Sequence, residues 1–158
     1  MNYVFDTSAA EVLIETCRLQ DALRFLSQTV TLVAPSKVRV EYLKGSRPER
    51  DIKAFDSLFN TADEPVDSEL LPYFHFDSDC GEINVISYAL HNDGYCCVID
   101  EEYGRRICVL FQLPVKGSIG LIKELCRLGL VSGEERRTIR RQLRRSTFRI
   151  SRELLREI

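Results

Sequence analysis

The chain lacks the residues and motifs of several common protein classes. It has no tryptophan, one methionine and only two histidines in 158 residues. Neither histidine belongs to a recognisable serine or cysteine motif, which argues against a nucleophilic triad. Glycine-rich phosphate loops of the GxxxxGKS and GxGxxG types are absent, so the common nucleotide-binding classes find no support. The six cysteines form neither a CxxC pair nor a zinc-binding spacing.

Long apolar runs are also missing. Charged residues interrupt each apolar stretch well before the ~20 residues that a membrane span needs. The first residues show no secretory apolar core, which predicts a cytosolic protein with reduced thiols. Because 44% of the residues are hydrophobic, the chain can bury one core, but it has no room for two ordinary domains.

The charge is distributed unevenly. Residues 132–158 carry nine arginines and four glutamates, a net charge of +5. Residues 1–131 carry 13 lysines and arginines against 20 acidic residues, a net charge of −7. Apolar residues recur among the arginines, and Ser132 and Glu135 have capping-box spacing, which predicts two short amphipathic helices. We therefore expect a main domain over 1–131 and a helical tail over 132–158, packed on that domain or extending it.

Apolar strands alternate with amphipathic helices along the main domain. The predicted strands are 3–5, 30–34, 95–99 and a short one around 114–115. The predicted helices are 9–17, 37–44, 54–59, 81–91, 102–111 and one that ends near residue 129. Helices of this length between strands are typical of an α/β fold whose parallel sheet is covered on both faces.

Acidic residues recur where the predicted strands end and where the helices begin. Asp6 and Asp100 each end a strand, Glu82 lies in the first turn of a helix, and Glu41 lies in the helix after the second strand. In parallel α/β sheets, ligands bind outside the carboxyl ends of the strands. If these strands are neighbours, the carboxylates share one pocket and need protonation or a cation. Oxygen ligands favour Mg²⁺ or Mn²⁺, either of which can promote attack of water on a phosphate.

Each of these acids also has an ordinary structural interpretation. Asp6 could serve only to begin a helix. Glu82 could form a capping box with Asp79. Glu41 could be an exposed helical glutamate, and Asp100 could belong to a solvated turn. No single position decides between the two interpretations, and it is the recurrence of acids at strand ends that favours a metal site.

Several segments resemble a known family in the order in which they occur. Residues 4–8 resemble the first strand of PIN domains, where an aspartate followed by a small hydroxyl residue starts the metal site. The segment 35–41 is similar to the second acidic position of that family. Residues 81–90 are similar to a GE-x-x-x-I-x-x-A-L helix of a PIN-like bacterial and archaeal subfamily. The segments 98–106, 115–120, 128–130 and 148–151 continue its order.

The resemblance implies a fold, an activity and partners. It implies a three-layer α/β/α sandwich and a metal-dependent endoribonuclease that cleaves single-stranded RNA with Mg²⁺ or Mn²⁺. Asp6, Glu41, Glu82 and Asp100 would be the catalytic and metal-binding residues, with Asp79 and Glu101 as competing positions. Such proteins are often toxins of VapC-type toxin-antitoxin pairs, which implies an antitoxin partner and a homodimer. The alternative is a PIN-like module that has lost turnover and binds RNA or protein.

Overall fold

The computed structural model describes residues 1–74, 80–148 and 150–158, and its centre is a parallel β-sheet. The strands are β1 (Asn2–Phe5), β2 (Leu32–Ala34), β3 (Asn60–Thr61), β4 (Tyr95–Val98) and β5 (Val115–Lys116). Their order across the sheet is β3-β2-β1-β4-β5, and every neighbouring pair is parallel. The central strands β1 and β4 are almost entirely buried, as expected when helices cover both faces.

Helices connect the strands and complete a three-layer α/β/α sandwich, as predicted. Within the described residues they are α1 (Thr7–Glu11), α2 (Gln20–Leu26), α3 (Ser36–Lys44), α4 (Glu49–Leu58), α5 (Gly81–His91), α6 (Glu102–Leu110), α7 (Ser118–Arg127), α8 (Gly133–Arg145) and α9 (Arg152–Arg156). A π-helical turn, Val12–Thr16, continues α1, and Leu71–Tyr73 form a 3₁₀ turn. None of the helices in the described ranges is long and apolar enough to cross a lipid bilayer.

Most of the predicted elements are present, with differences where the sequence pattern is weak. The predicted helix 81–91 has the bounds of α5, and the tail forms the two predicted helices α8 and α9. The helix predicted over 54–59 begins earlier, at Glu49, directly after Pro48. The sequence did not predict α2 or the two-residue strand β3.

The basic tail contributes side chains to the core of the main domain. Ile139 and Leu143 of α8 are buried, as are Leu155 of α9 and the terminal Ile158. All four belong to the same hydrophobic cluster as the sheet residues. The capping box between Ser132 and Glu135 is present at the start of α8, as predicted. The division of the chain after residue 131 stays a prediction.

We predict that replacing Leu143 by alanine destabilises the whole protein by about 2–5 kcal/mol, because a fully buried leucine leaves a cavity. The matched control is Leu154→Ala, since Leu154 lies in the same tail and is 41% exposed. Urea unfolding followed by circular dichroism measures both variants. Equal, small effects of the two substitutions would contradict the shared core.

Candidate active site

Two of the predicted acids leave neighbouring strands at the same edge of the sheet. Asp6 follows the last residue of β1, and its backbone N–H donates to the carbonyl oxygen of Val98 at 3.1 Å. Asp100 follows β4 by two residues. The chain moves from β1 to β2 and β3 on one side and later to β4 and β5 on the other. The carboxyl ends of β1 and β4 therefore form the topological switch point, where ligands bind in open α/β sheets.

Asp6 is buried and caps a helix at the same time. Only 3% of the residue is exposed to solvent. One carboxylate oxygen accepts the N–H of Ala9 at 2.7 Å, and the other accepts the hydroxyl of Ser8 at 3.0 Å. Burial raises the pKa of Asp6 to about 8, helped by the negative charge of Asp100 and opposed by the Ala9 hydrogen bond. Asp6 therefore caps α1, and the cap lies where a charge is costly.

Asp100 offers one oxygen to the protein and keeps the other unpartnered. Oδ1 accepts the backbone N–H of Ser118 at 2.8 Å and the Ser118 hydroxyl at 3.0 Å. Oδ2 is buried, and no donor in the described part of the chain reaches it. Burial raises the pKa of Asp100, against the opposing effect of the Ser118 hydrogen bonds. Arg105 donates to the backbone carbonyl of Asp100, which fixes the loop that carries it.

The two predicted glutamates lie at the N-terminus of α5. Glu41, on α3, accepts the Thr7 hydroxyl at 2.7 Å and the backbone N–H of Gly81 at 2.8 Å. A Cβ atom at Gly81 would lie 2.6 Å from Oε2 of Glu41, so glycine allows this approach. Burial raises the pKa of Glu82, and the charges of Glu101 and Glu41 raise it further.

The structure thus brings the four predicted acids into one electrostatically coupled group. The charges of Asp100 and Glu82 both act on Asp6, and Glu41 acts on Glu82. The competing residue Glu101 is exposed and adds its charge to Glu82 and Asp100. Asp79 lies outside the described residues. The catalytic and metal-binding roles of these residues stay predictions.

The chemistry of this group suits a hydrated hard cation better than an all-protein cage. Within residues 1–74, 80–148 and 150–158, no three histidine, cysteine, aspartate or glutamate side chains converge closely enough to hold one metal ion. Magnesium usually keeps several waters and uses one or two carboxylates. The unpartnered Oδ2 of Asp100, close to the buried Asp6, fits this partial ligand set.

Sequence reasoning missed the residues that hold the acids in place. Thr7 and Gly81 position Glu41, and Ser118 positions Asp100. The sequence offers a local signal for Ser118. Gly117 and Ser118 lie between the predicted short strand and the predicted last helix of the main domain, where a helix N-terminus is expected. The partners of Glu41 are 34 and 40 residues away along the chain. No local pattern reveals such contacts.

The fold is an α/β/α sandwich with acidic residues at the carboxyl ends of its central strands. The chain belongs to the PIN-domain family, since residues 2–158 match the family model DUF3368, described as a PIN domain. This match confirms the resemblance and includes the tail. PIN domains are generally nucleases, and they typically use divalent metal ions. Searches of the curated proteins and of the solved structures found no match.

We predict that Asp6→Asn stabilises the metal-free protein by an amount that grows with pH. The ordinary pKa of an aspartate side chain is 3.8, whereas that of Asp6 in the folded protein is about 8. The folded state therefore holds a proton that the unfolded chain releases, and stability is lost as pH rises from 3.8 to about 8. Asparagine keeps the cap but cannot ionise. Urea unfolding at about pH 5 and about pH 8 in the presence of a chelator measures the difference.

The matched control for this measurement is Asp21→Asn, because the Asp21 side chain is 94% exposed. The control should change stability little, and equally at both pH values. A stability difference between Asp6→Asn and the wild type that does not depend on pH would contradict the assigned pKa.

Proposed function

We propose that the protein is a divalent-metal-dependent endoribonuclease that cleaves single-stranded RNA. The observation that carries the proposal is the buried, unpartnered Oδ2 of Asp100 beside the buried Asp6 at the switch point of the sheet. Burial disfavours the charged form of both carboxyl groups, and a bound cation would offset that cost. All-oxygen ligands favour Mg²⁺ or Mn²⁺.

Asp100 and either Asp6 or Glu82 would hold the metal, with waters in the rest of its shell and with Glu41 and the exposed Glu101 near it. A bound divalent ion lowers the pKa of a water and stabilises charge on a phosphate under attack. The protein fixes the ligands before the substrate arrives. Ser118 immobilises Oδ1 of Asp100, so that Oδ2 remains available.

Basic groups next to Asp100 give this site a place for a phosphate. Asp100, Arg105 and Lys123 line one cleft of about 300 Å³. Guanidinium and ammonium groups bind phosphate oxygens by charge-assisted hydrogen bonds. A carboxylate-bound cation and the Arg105 guanidinium on one cleft match the needs of phosphodiester cleavage, while Lys123 also pairs with Glu157.

The alternative is a PIN-like module without turnover. Such a module has no need to keep several coupled carboxylates buried, because their burial costs stability unless a cation is bound. The raised pKa of Asp6, which burial causes, therefore favours the enzyme. The pKa of Asp6 does not identify the substrate. The choice of RNA comes from the family resemblance.

The toxin role, an antitoxin partner and a homodimer stay predictions. One surface available for such a partner is α6, where Tyr103, Val109 and Leu110 are 50%, 68% and 56% exposed. Exposed apolar residues in one short helix are typical of a protein interface.

We predict that Asp6→Asn and Asp100→Asn each lower the rate of Mg²⁺-dependent cleavage of single-stranded RNA by at least about 100-fold, because each would remove a metal-binding oxygen. The wild type should also melt at a higher temperature with Mg²⁺ than with a chelator, by mass-action linkage. Both variants should lose most of this increase. A cleavage assay and paired melting curves measure the two effects.

The control is again Asp21→Asn, which removes a carboxylate from the exposed surface of α2. It should cleave at the wild-type rate and keep the Mg²⁺ effect. If Asp6→Asn and Asp100→Asn cut RNA as fast as the wild type, the acidic cluster is not the active site. RNA binding without cleavage by the wild type would support the inactive module.

A further inference from the structure

The outer face of α8 is a concentrated positive surface. Ile139 and Leu143 lie on the opposite face of this helix and are buried in the core. The outer arginines, namely Arg137, Arg141, Arg144 and Arg145, are exposed. No carboxylate in the described part of the chain lies within 4.0 Å of any of them. This surface therefore carries uncompensated charge.

Several arginines elsewhere on the surface are paired with carboxylates. Arg24 pairs with Asp21 at 3.1 Å, and Arg39 pairs with Asp56 at 2.8 Å. Arg106 pairs with Glu102, one turn earlier on α6. Pairs of this kind are ordinary on charged surfaces, and the four exposed arginines of α8 lack them among the described residues.

The unpaired arginines converge on one open cleft. A depression of about 400 Å³ is lined by Arg137, Arg140, Arg141, Arg144 and Arg145 alone. Like charges placed around one space repel each other, so the arrangement costs stability in the absence of a bound anion. A single small anion would neutralise only part of this charge. A polyanion that meets several guanidinium groups at once fits it better.

Shared lining residues link the cleft at the acidic site to these arginines. The cleft that contains Asp100 is also lined by Phe148 and Ile150. The same two residues line a larger cleft, which Arg144 also lines. Arg144 in turn belongs to the arginine-lined depression. The tail therefore connects the candidate active site with the outer face of α8.

We infer that this surface, which we call the arginine track, binds the single-stranded RNA that extends from the cleavage site. The track consists of Phe148, Ile150 and the arginines of α8 that line the depression. The phosphates contact the guanidinium groups, and a base packs against Phe148. The inference rests on the proposed function, because it identifies the polyanion as the substrate of that site.

The composition of the track favours nucleic acid over an acidic protein helix. Surfaces that bind single strands combine a basic groove with aromatic side chains on which bases stack. A partner helix would instead need an apolar groove for its anchor residues. On α8 the large apolar residues Ile139 and Leu143 are buried, and the outer face offers only charge. Along the helix, residues four apart repeat about every 6 Å, so successive guanidinium groups can meet successive phosphates of an extended strand.

The test measures binding of a fluorescent oligouridylate of about 12 nucleotides, within the site sizes of single-strand-binding surfaces. The full chain is used with a chelator, so that neither cleavage nor a metal ion contributes. The track variant carries Arg137→Gln, Arg141→Gln and Arg144→Gln. We expect binding at least about tenfold weaker than that of the wild type at low salt. The slope of log affinity against log salt should fall in magnitude by about 2, at ~0.7 per lost phosphate contact.

The matched control removes the same charge from a second basic cleft. It carries Arg24→Gln, Arg50→Gln and Lys53→Gln, three exposed cations that line one depression near α2 and α4. Each of them has a carboxylate within ion-pair distance, at 3.1, 3.5 and 2.7 Å respectively. This control should bind RNA with nearly the wild-type affinity and slope. Equal losses in the two triple variants would overturn the track, because net charge alone would then explain binding.

A second variant tests the aromatic part of the track and does not depend on charge. Phe148→Leu keeps an apolar side chain but removes the ring, and should weaken binding about fivefold or more. Its control is Phe25→Leu, since Phe25 is 61% exposed on α2. Melting curves confirm that the variants are folded. Unchanged binding by both Phe148→Leu and the track triple variant would overturn the inference.

Two further outcomes separate this inference from its rivals and from the proposed function. A poly-glutamate of matched charge that binds the track more tightly than the oligouridylate would overturn it in favour of an acidic protein partner. Wild-type protein that cleaves RNA with Mg²⁺ while the track variant binds RNA normally would refute the track alone. Track-dependent RNA binding without any metal-dependent cleavage would support the track and contradict the endoribonuclease.

Discussion

The placement of carboxylates at the switch point of a parallel sheet is the constraint on which the rest of the structure depends. Asp6 and Asp100 leave adjacent strands, so β-sheet geometry brings two acidic groups to the same edge of the sheet, and Asp6 is buried there. Burial alone disfavours the charged form of each group, and the neighbouring charge adds to this cost. The fold therefore has to stabilise these charges with hydrogen-bond donors, a proton or a cation.

Three helix N-termini supply the donors. Asp6 accepts from α1, Glu41 accepts from Gly81 at the start of α5, and Asp100 accepts from Ser118 at the start of α7. The positive ends of helix dipoles and their unpaired N–H groups stabilise anions at such positions. Helix capping and the candidate metal site are therefore one arrangement. The caps hold the carboxylates in place, and the remaining negative charge, with Oδ2 of Asp100 unpartnered, is what a cation would meet.

The sequence predicts elements with strong local patterns and cannot predict contacts between distant segments. The helix 81–91 was predicted with its observed bounds, because its apolar face is regular and the acid Glu82 stands in its first turn. The sequence does not predict the helix Gln20–Leu26, which, like α5, begins without a capping side chain. The four acids were named from their positions at strand ends. Their supports, such as the Thr7 hydroxyl on Glu41, depend on how α1 and α3 pack, and no local pattern encodes that packing.

The central claim is that the acidic cluster binds a divalent cation, and a crystal soaked with Mn²⁺ tests it most directly. Anomalous scattering locates this ion without reference to any activity. The account predicts one ion within about 2.6 Å of Oδ2 of Asp100, with Asp6 or Glu82 completing the protein ligands and waters filling the rest of the shell. An ion bound elsewhere would contradict the account. So would the absence of an ion at saturating Mn²⁺ if the carboxyl groups of Asp6 and Asp100 also lie more than about 10 Å apart.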